Sequence, residues 1–397
     1  MSPLPGPADA VAAESRLRNL LPPGLLSVFD ASFIRSNLLF DEFVDRLALK
    51  VIHQAGIEAA LQEPGAATDI AARAKLDAGR ALVPLDWMLR HLAARGLIEA
   101  DRDGRFHTRG PLPALDPGPV REEQLRHDPS ALPSYVLAET VARDYPAFLH
   151  GEVAGEDVLF SPRRLRLWMD YFSNDNVLYA VNNRVGAVAF EQWLPRDGGA
   201  VLELGGGLGS GALAVLERLA AVGRLGALRE YRFTEFVPAF LRRGQQALQT
   251  RHPALAALTF GALDMNRPFA EQGVRPDSLA VVYAVNTLHV AHDLAFTLGE
   301  IRNSLEPGGQ LIISECVRPQ PQETVYAEFI FNLMETFRAP RLHAVYRPGG
   351  GFLTPEQWKI AVEAAGLGDT RFLPDIRKIL AEVPEFVVAA IGATRLR

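Results

Sequence analysis

Cysteine is nearly missing from this chain of 397 residues, with Cys316 as the one copy. A single thiol cannot close an internal disulfide, so a disulfide framework is excluded and a reducing compartment fits. Positive charge is also scarce. The 41 Lys and Arg residues face 47 Asp and Glu, a formal net charge of −6. That argues against nucleic acid as a main partner, because phosphate binding needs a concentrated positive field. The densest basic stretch, Arg163-Arg164-Leu165-Arg166, reads as a solvated helix face. No apolar run approaches the ~18 residues that a spanning helix needs, so no membrane is expected. No basic segment followed by an apolar stretch opens the chain, so no secretory signal is expected and a cytoplasmic location is. No internal repeat recurs at a fixed period.

What is present suits a soluble globular protein: 48% of residues are hydrophobic and 22% charged, enough apolar material for a sizeable core. At ~100–200 residues per domain, two or three units are expected. Residues 1–13, rich in Pro and Ala, read as a loose tail. Phe40, Phe43, Val44, Leu47 and Val51 fall at helical spacing within Leu25–Gly56. Thr68–Ala74 reads as a short helix with Thr68 as its cap. After a turn at Gly79, Val83–Arg95 reads as a longer helix with Leu85, Met88, Leu89 and Leu92 on one face, ended by Gly96. Leu97–Ala100 and Arg105–Thr108 form a hairpin about Asp103-Gly104. Helix, turn, helix, hairpin is a winged-helix pattern. Its second helix offers only Arg90, His91 and Arg95, beside Asp86, a thin basic footprint for DNA. Gly110–Pro119 holds four prolines and reads as a linker. Residues 131–194 are helical again, broken near Gly151–Asp157. They carry Trp168, Tyr171, Phe172 and Tyr179, with Asn174, Asn176, Asn182 and Asn183. This stretch is either a core-packed connector or a lid, in which Tyr171, Phe172, Tyr179 and Asn183 would line a substrate pocket.

From Gly199 short apolar runs alternate with helical segments, the signature of a parallel sheet with crossover helices. Strands are expected at Ala200–Leu204, Tyr231–Glu235, Leu258–Ala262, Ser278–Ala284 and Gln310–Glu315, with Arg371–Leu373 and Glu385–Ile391 as a terminal antiparallel pair. The first strand runs into Gly205-Gly206-Gly207-Leu208-Gly209-Ser210-Gly211 and then a helix at Ala212–Ala220. Such a loop lets backbone approach a ligand beyond the carboxyl ends of the strands. Gly207, Gly209 and Ala212 also match a dinucleotide fingerprint, a weak signal alone. Glu203 opposes it, since a carboxylate before the glycines repels a pyrophosphate and attracts a cation. Glu235 and Asp264 end the next two strands. As pure acceptors they suit ribose hydroxyls and an exocyclic amine.

On these residues, 198–393 resembles a class I S-adenosylmethionine-dependent methyltransferase. The resemblance implies a Rossmann-like domain with a mostly parallel seven-stranded sheet. It implies that Glu203, Gly205, Gly207 and Gly209 line the methionine part of the cofactor. Glu235 would hold the ribose, Asp264 with Met265 would border the adenine, and Phe236 and Asn286 would add cofactor contacts. Tyr231–Leu241 and Asn286-Thr287-Leu288-His289 are similar to the carbon-methylating domains of polyketide synthases, which usually carry Asp where Glu235 stands. The N-terminal unit is instead similar to stand-alone small-molecule O- and C-methyltransferases, which implies a homodimer. The implied layout is a winged-helix-like dimerisation domain at 14–119, a connector or lid at 120–197 and a catalytic domain at 198–397.

His289 follows the fourth strand on the crevice side and is the candidate base, since a neutral imidazole accepts a proton near neutral pH. His292 lies beside it as a pocket residue. The two could form half of a metal site, but no third ligand is evident and no metal is expected. Glu335, on a helix expected at Ala327–Phe337, matches the glutamate of a His–Glu dyad in the resembled domains, with Glu328 as the alternative. Glu315 and Cys316 should line the crevice, without assigned chemistry. The sequence thus reads as a methyltransferase for a small-molecule acceptor of specialised metabolism, free or tethered to a carrier protein, with carbon favoured over oxygen. Methylation of a phenol or carboxylate oxygen is the alternative. A winged-helix regulator that senses S-adenosylmethionine, or a nicotinamide oxidoreductase, are the readings from other classes.

Overall fold

The computed structural model describes residues 4–383 and 386–396. The chain folds into two compact units. One comprises residues 4–12, Ala31–Tyr171 and Gln320–Ala339, and the other Ala13–Asp30, Phe172–Pro319 and Pro340 onward.

The first unit is mainly helical. Ala31–Gln54 buries Leu39, Phe43, Leu47 and Val51 along one face, as an amphipathic core helix should. The following helix is Ala67–Arg73, and Thr68 lies inside it rather than capping it. Its cap is Ala66, whose N–H is held by Asp69 at 2.9 Å. The longer helix runs Ala78–Ala94 and takes in Gly79, because Asp77 caps it by accepting from the Arg80 N–H at 2.9 Å. Gly96 follows at a positive φ of 68°. β1 (Glu99–Ala100) and β2 (Phe106–His107) then pair antiparallel as the expected hairpin. The basic side chains expected to face DNA are engaged by acids: Arg90 by Asp86, Arg95 by Asp41 and Asp45, and His91 by Asp45 at 2.6 Å. Asp41, Asp45 and His91 come close enough to hold a metal ion, and the Arg95 guanidinium already bonds to both of these acids. Helices at Gly118–His127, Leu132–Leu149, Gly155–Phe160 and Leu165–Tyr171 follow. The stretch expected as one helix at Ala327–Phe337 is two, Glu328–Phe331 and Glu335–Arg338, separated by the extended backbone of Met334. Glu328 is fully buried and accepts from Trp87 Nε1 at 3.0 Å and the Val325 N–H at 3.0 Å. The sequence expected a loose tail over 1–13. Residues 1–3 lie outside the described residues, and Pro7–Arg18 is helical.

The second unit is built on a seven-stranded sheet: β3 (Gly199–Leu204), β4 (Leu228–Thr234), β5 (Leu258–Gly261), β6 (Leu279–Val285), β7 (Leu305–Cys316), β8 (Leu367–Leu373) and β9 (Val388–Arg395), in spatial order β5-β4-β3-β6-β7-β9-β8. The first five pair in parallel, while β9 runs antiparallel to both β7 and β8. Glu385, expected at the start of the last strand, lies outside the described residues. β3 and β6 are apolar and buried almost throughout, as strands covered on both faces must be. The helix Val177–Trp193 packs closely on this sheet. A Cβ on Gly186 would collide with the Tyr283 hydroxyl and crowd Ser314. The order reverses at β3: the chain leaves it towards β4 and β5, then returns to its other side with β6. The loops after β3 and β6 therefore part, and a crevice opens at their carboxyl ends. No helix among the described residues is long and apolar enough to cross a membrane.

Candidate active site

The glycine loop leaves β3 with Gly205 at φ +60°, a backbone state that favours glycine. A Cβ there would also collide with Thr287 Oγ1 from the loop after β6. Gly205 thus lets the two crevice loops touch. Gly207, at φ +57°, faces open space where its Cβ would be. The helix Ser210–Ala221 follows, with Gly209 as its N-cap.

Two carboxylates brace this loop. Glu235 accepts from the Gly207 N–H at 2.9 Å and from the Val237 N–H at 2.7 Å. Burial still raises its pKa. Glu203 is 1% exposed. Among the described residues its partners are the Tyr231 hydroxyl at 3.1 Å and the Ala212 N–H, and no cation. Burial, with the Glu235 charge adding to it, pushes Glu203 up to about 8. A buried carboxylate without a counterion is expensive. The loop is therefore suited to a ligand that brings a positive charge to Glu203 and hydroxyls to Glu235. Phe236, 64% exposed, stands next to that acid as a bare aromatic face. Asp264 is half-buried and its Oδ1 takes the Asn266 N–H at 2.9 Å. The Met265 carbonyl accepts from Thr297.

The segment after Phe172 is tied over the start of the glycine-loop helix. Ser210 Oγ donates to the Phe172 carbonyl. Asn174 Nδ2 donates to the Ser210 carbonyl at 2.9 Å and Asn183 Nδ2 to Asn174 Oδ1 at 2.8 Å. The Phe172 ring meets Tyr179 at 5.1 Å and Phe240 at 6.2 Å. Three of the expected pocket residues, Phe172, Tyr179 and Asn183, thus gather beside the loop. Tyr171 belongs to the other unit, packed against Trp168 and Phe331.

His289 lies on the loop after β6 and is 5% exposed. Its Nδ1 stands 2.6 Å from Glu315 Oε2. Glu315 Oε1 accepts the N–H groups of Thr287 and Leu288 at 3.1 and 3.0 Å. A carboxylate only accepts, so the proton of a neutral imidazole belongs on Nδ1 and the lone pair on Nε2. The carboxylate bonded to this imidazole is Glu315. Glu335 is exposed and its N–H bonds Glu156, while Glu328 is engaged with Trp87. Sheet register explains the pairing. Val285 of β6 lies opposite Ser314 of β7, so Glu315 falls beside the start of the His289 loop. Asn286 begins that loop at φ +46°, a conformation that non-glycine residues adopt at a cost. It is held there by its side-chain oxygen, which accepts from Asn182 Nδ2 at 2.8 Å and the Cys316 N–H at 3.0 Å. Arg347, 1% exposed, donates to the carbonyls of Ala291 and His289. Burial pulls it down to about 10, while Asp293, Tyr346 and Glu315 work in the other direction. His292, placed in the pocket from sequence, is exposed, and its backbone N–H bonds Asn266. Sequence reasoning missed the roles of Glu315, Tyr231, Asn182 and Arg347. For Glu315 a signal existed, an acid ending the strand after the one that feeds His289.

No protein-family model matches the chain. Highly reducing polyketide synthase 2 of Gibberella zeae is 31% identical over 245 residues, 60% of this chain and 9% of that protein. Polyketide synthase PksM of Bacillus subtilis is 24% identical over 259 residues, 64% of this chain and 6% of that one. The chain thus spans less than a tenth of either relative. Among solved structures, the CurJ carbon methyltransferase superposes with a TM-score of 0.77 at 21% identity, covering 98% of this chain and 99% of that one. The methyltransferase domain of the citrinin polyketide synthase gives 0.71 at 18% identity over the full length of both. The DszA carbon methyltransferase gives 0.68 at 23%, covering 99% and 97%. The chain shares the fold of these solved methyltransferases.

Proposed function

We propose that this chain methylates a carbon atom of an acyl group tethered to a carrier protein, using S-adenosylmethionine. The observation that carries the reading is the buried His289–Glu315 pair at the crevice, across from the glycine loop. The relatives and fold neighbours, polyketide synthases and carbon methyltransferases, supply the acceptor class. Glu203, with no cation beside it among the described residues, would take the ammonium end of the cofactor. Gly207 leaves room for its backbone-side approach, Glu235 would hold the ribose, and Phe236 with Asp264 and Met265 would flank the adenine. When bound, the cofactor supplies an electrophilic methyl on a sulfonium.

The residues do the rest. Glu315 fixes the imidazole with Nδ1 protonated, so that Nε2 accepts a proton from an acidic carbon flanked by carbonyls. The resulting imidazolium is stabilised by the same carboxylate. Phe172, Tyr179 and the Asn174–Asn183 tie keep water from the glycine loop, and alignment of the two reactants lowers most of the barrier.

The test is calorimetric titration with S-adenosylhomocysteine, with NADH as control, followed by transfer of a 13C-methyl to a 3-oxoacyl thioester. Micromolar binding of the homocysteine product, none of NADH, and a methyl resonance on carbon that His289→Ala abolishes are expected. A methyl found on oxygen would move the reading to O-methylation. Failure of the folded protein to bind S-adenosylhomocysteine would sink it.

A further inference from the structure

Residues 341–347 form a tight turn that grips the loop carrying His289. The turn is closed by the His343 N–H on the Arg347 carbonyl at 2.8 Å and the Arg347 N–H on the His343 carbonyl at 2.9 Å. At one end the Arg341 N–H donates to the His292 carbonyl at 2.7 Å, and the Arg341 guanidinium meets Asp293 at 2.5 Å. At the other end Arg347 reaches inward. Its Nη1 donates to the Ala291 carbonyl at 2.6 Å and its Nη2 to the His289 carbonyl at 2.5 Å. Both carbonyls belong to the short turn that presents the imidazole. A neutral amide could hold two carbonyls at a lower desolvation cost than a buried guanidinium. The charge itself therefore calls for a reason.

We propose that Arg347 is a positioning residue for His289. Its two bonds fix the loop so that the imidazole stays on Glu315. The proposal rests on the reading of His289 as the base. Among the described residues, the titratable and charged groups on the elements that hold the imidazole are Glu315 from β7, His292 and Asp293 from its own loop, and Arg341, His343, Tyr346 and Arg347 from the turn. Phe352 adds an apolar ring at 4.7 Å. Among these cations Arg347 is the buried one, whereas the Arg341 side chain is 72% exposed and neutralised by Asp293. A nearby cation disfavours imidazolium, and its removal favours it.

The deciding measurement is a titration of 15N-labelled histidine side chains by long-range NMR. The chain has nine histidines, and the His289 signal is assigned by its loss in His289→Gln. The wild type is expected to show the Nδ1-protonated tautomer. In Arg347→Met the His289 midpoint is expected to rise by about one pH unit, the size of a single nearby charge at moderate dielectric. The acid limb of the rate profile should move up with it. At pH 6.5 the shift alone should lower kcat by up to about tenfold, while affinity for S-adenosylhomocysteine holds. Arg347→Lys keeps the charge, so its midpoint should stay near the wild-type value while the loss of a carbonyl bond lowers kcat. Where Arg347→Met does not fold, Arg347→Gln, which keeps the donors without the charge, decides. An unchanged midpoint and tautomer in the folded uncharged variant would overturn the proposal. The expected NMR shift without methyl transfer to any acceptor would remove the base reading and leave the positioning intact, so the two failures are separable.

Discussion

Burial holds the Glu203 carboxyl near 8, whereas a glutamate in the unfolded chain titrates near ~4.3. Between those values the folded protein binds the extra proton. Stability therefore falls as pH rises through that window, the reverse of a salt-bridged acid. Glu203→Gln removes the charge without changing the shape. It is expected to raise the melting temperature at pH 8 by a few degrees, at ~2–4 °C per kcal/mol, with a much smaller gain at pH 5. The same substitution should weaken S-adenosylhomocysteine binding at least about tenfold, because the ammonium loses its counterion. Melting scans and titrations at both pH values check this, and an equal gain at pH 5 and pH 8 would count against it. Glu315 acts differently, through His289. Glu315→Gln and His289→Gln should each cost about 10²–10⁴ in methyl transfer, with cofactor affinity kept. The double variant should be no worse than the poorer single one, because the pair works as a unit. Both residues were legible in the sequence as strand-end groups of the crevice. Their partnership was not, since it depends on β7 lying beside β6 with Ser314 opposite Val285. Glu335 looked equally suitable because a sequence shows spacing along the chain and not register across it.

At the scale of elements, the sheet was the most readable part. Each strand announced itself by a short apolar run between turn residues, and the glycine loop marked where ligand chemistry would sit. Packing between elements was less visible. The helix Val177–Trp193 passes so close to β6 and β7 that Gly186 has no room for a side chain. Gly186→Ala is expected to destabilise by about 1–3 kcal/mol, the usual cost of overpacking, although alanine favours helix over glycine by about 1 kcal/mol. Chemical denaturation would read the sign directly, and a stabilised variant would contradict the packing. The break between Glu328–Phe331 and Glu335–Arg338 was also hidden. Phe329, Leu333 and Phe337 keep helical spacing across it and all are buried. Periodicity reports which side chains face inward, and the extended Met334 leaves that pattern unchanged.

Across the whole molecule, the compact units are not contiguous stretches of chain. Residues 320–339 leave the sheet unit and complete the helical one, a closure between segments more than 140 positions apart in sequence. Local pattern cannot reveal such a return, and for that reason the sequence suggested boundaries at the proline-rich stretch and before Gly199. The returning segment is deeply engaged. Glu328 takes the Trp87 indole N–H, Tyr326 donates to Asn37 at 2.6 Å, Thr324 meets His91 at 2.9 Å and Phe329 stacks near Tyr145 at 5.0 Å. Without it Trp87 and His91 lose buried polar partners, and the unpaired groups cost about 1–3 kcal/mol each. A fragment of residues 1–171 should therefore fail to unfold cooperatively, with broad tryptophan fluorescence and few dispersed amide resonances. Adding residues 320–339 as a separate peptide, or through a flexible linker, should restore a sharp transition. A fragment of residues 1–171 that melts cooperatively by itself would show that the helical unit is autonomous and that the return of 320–339 merely decorates it.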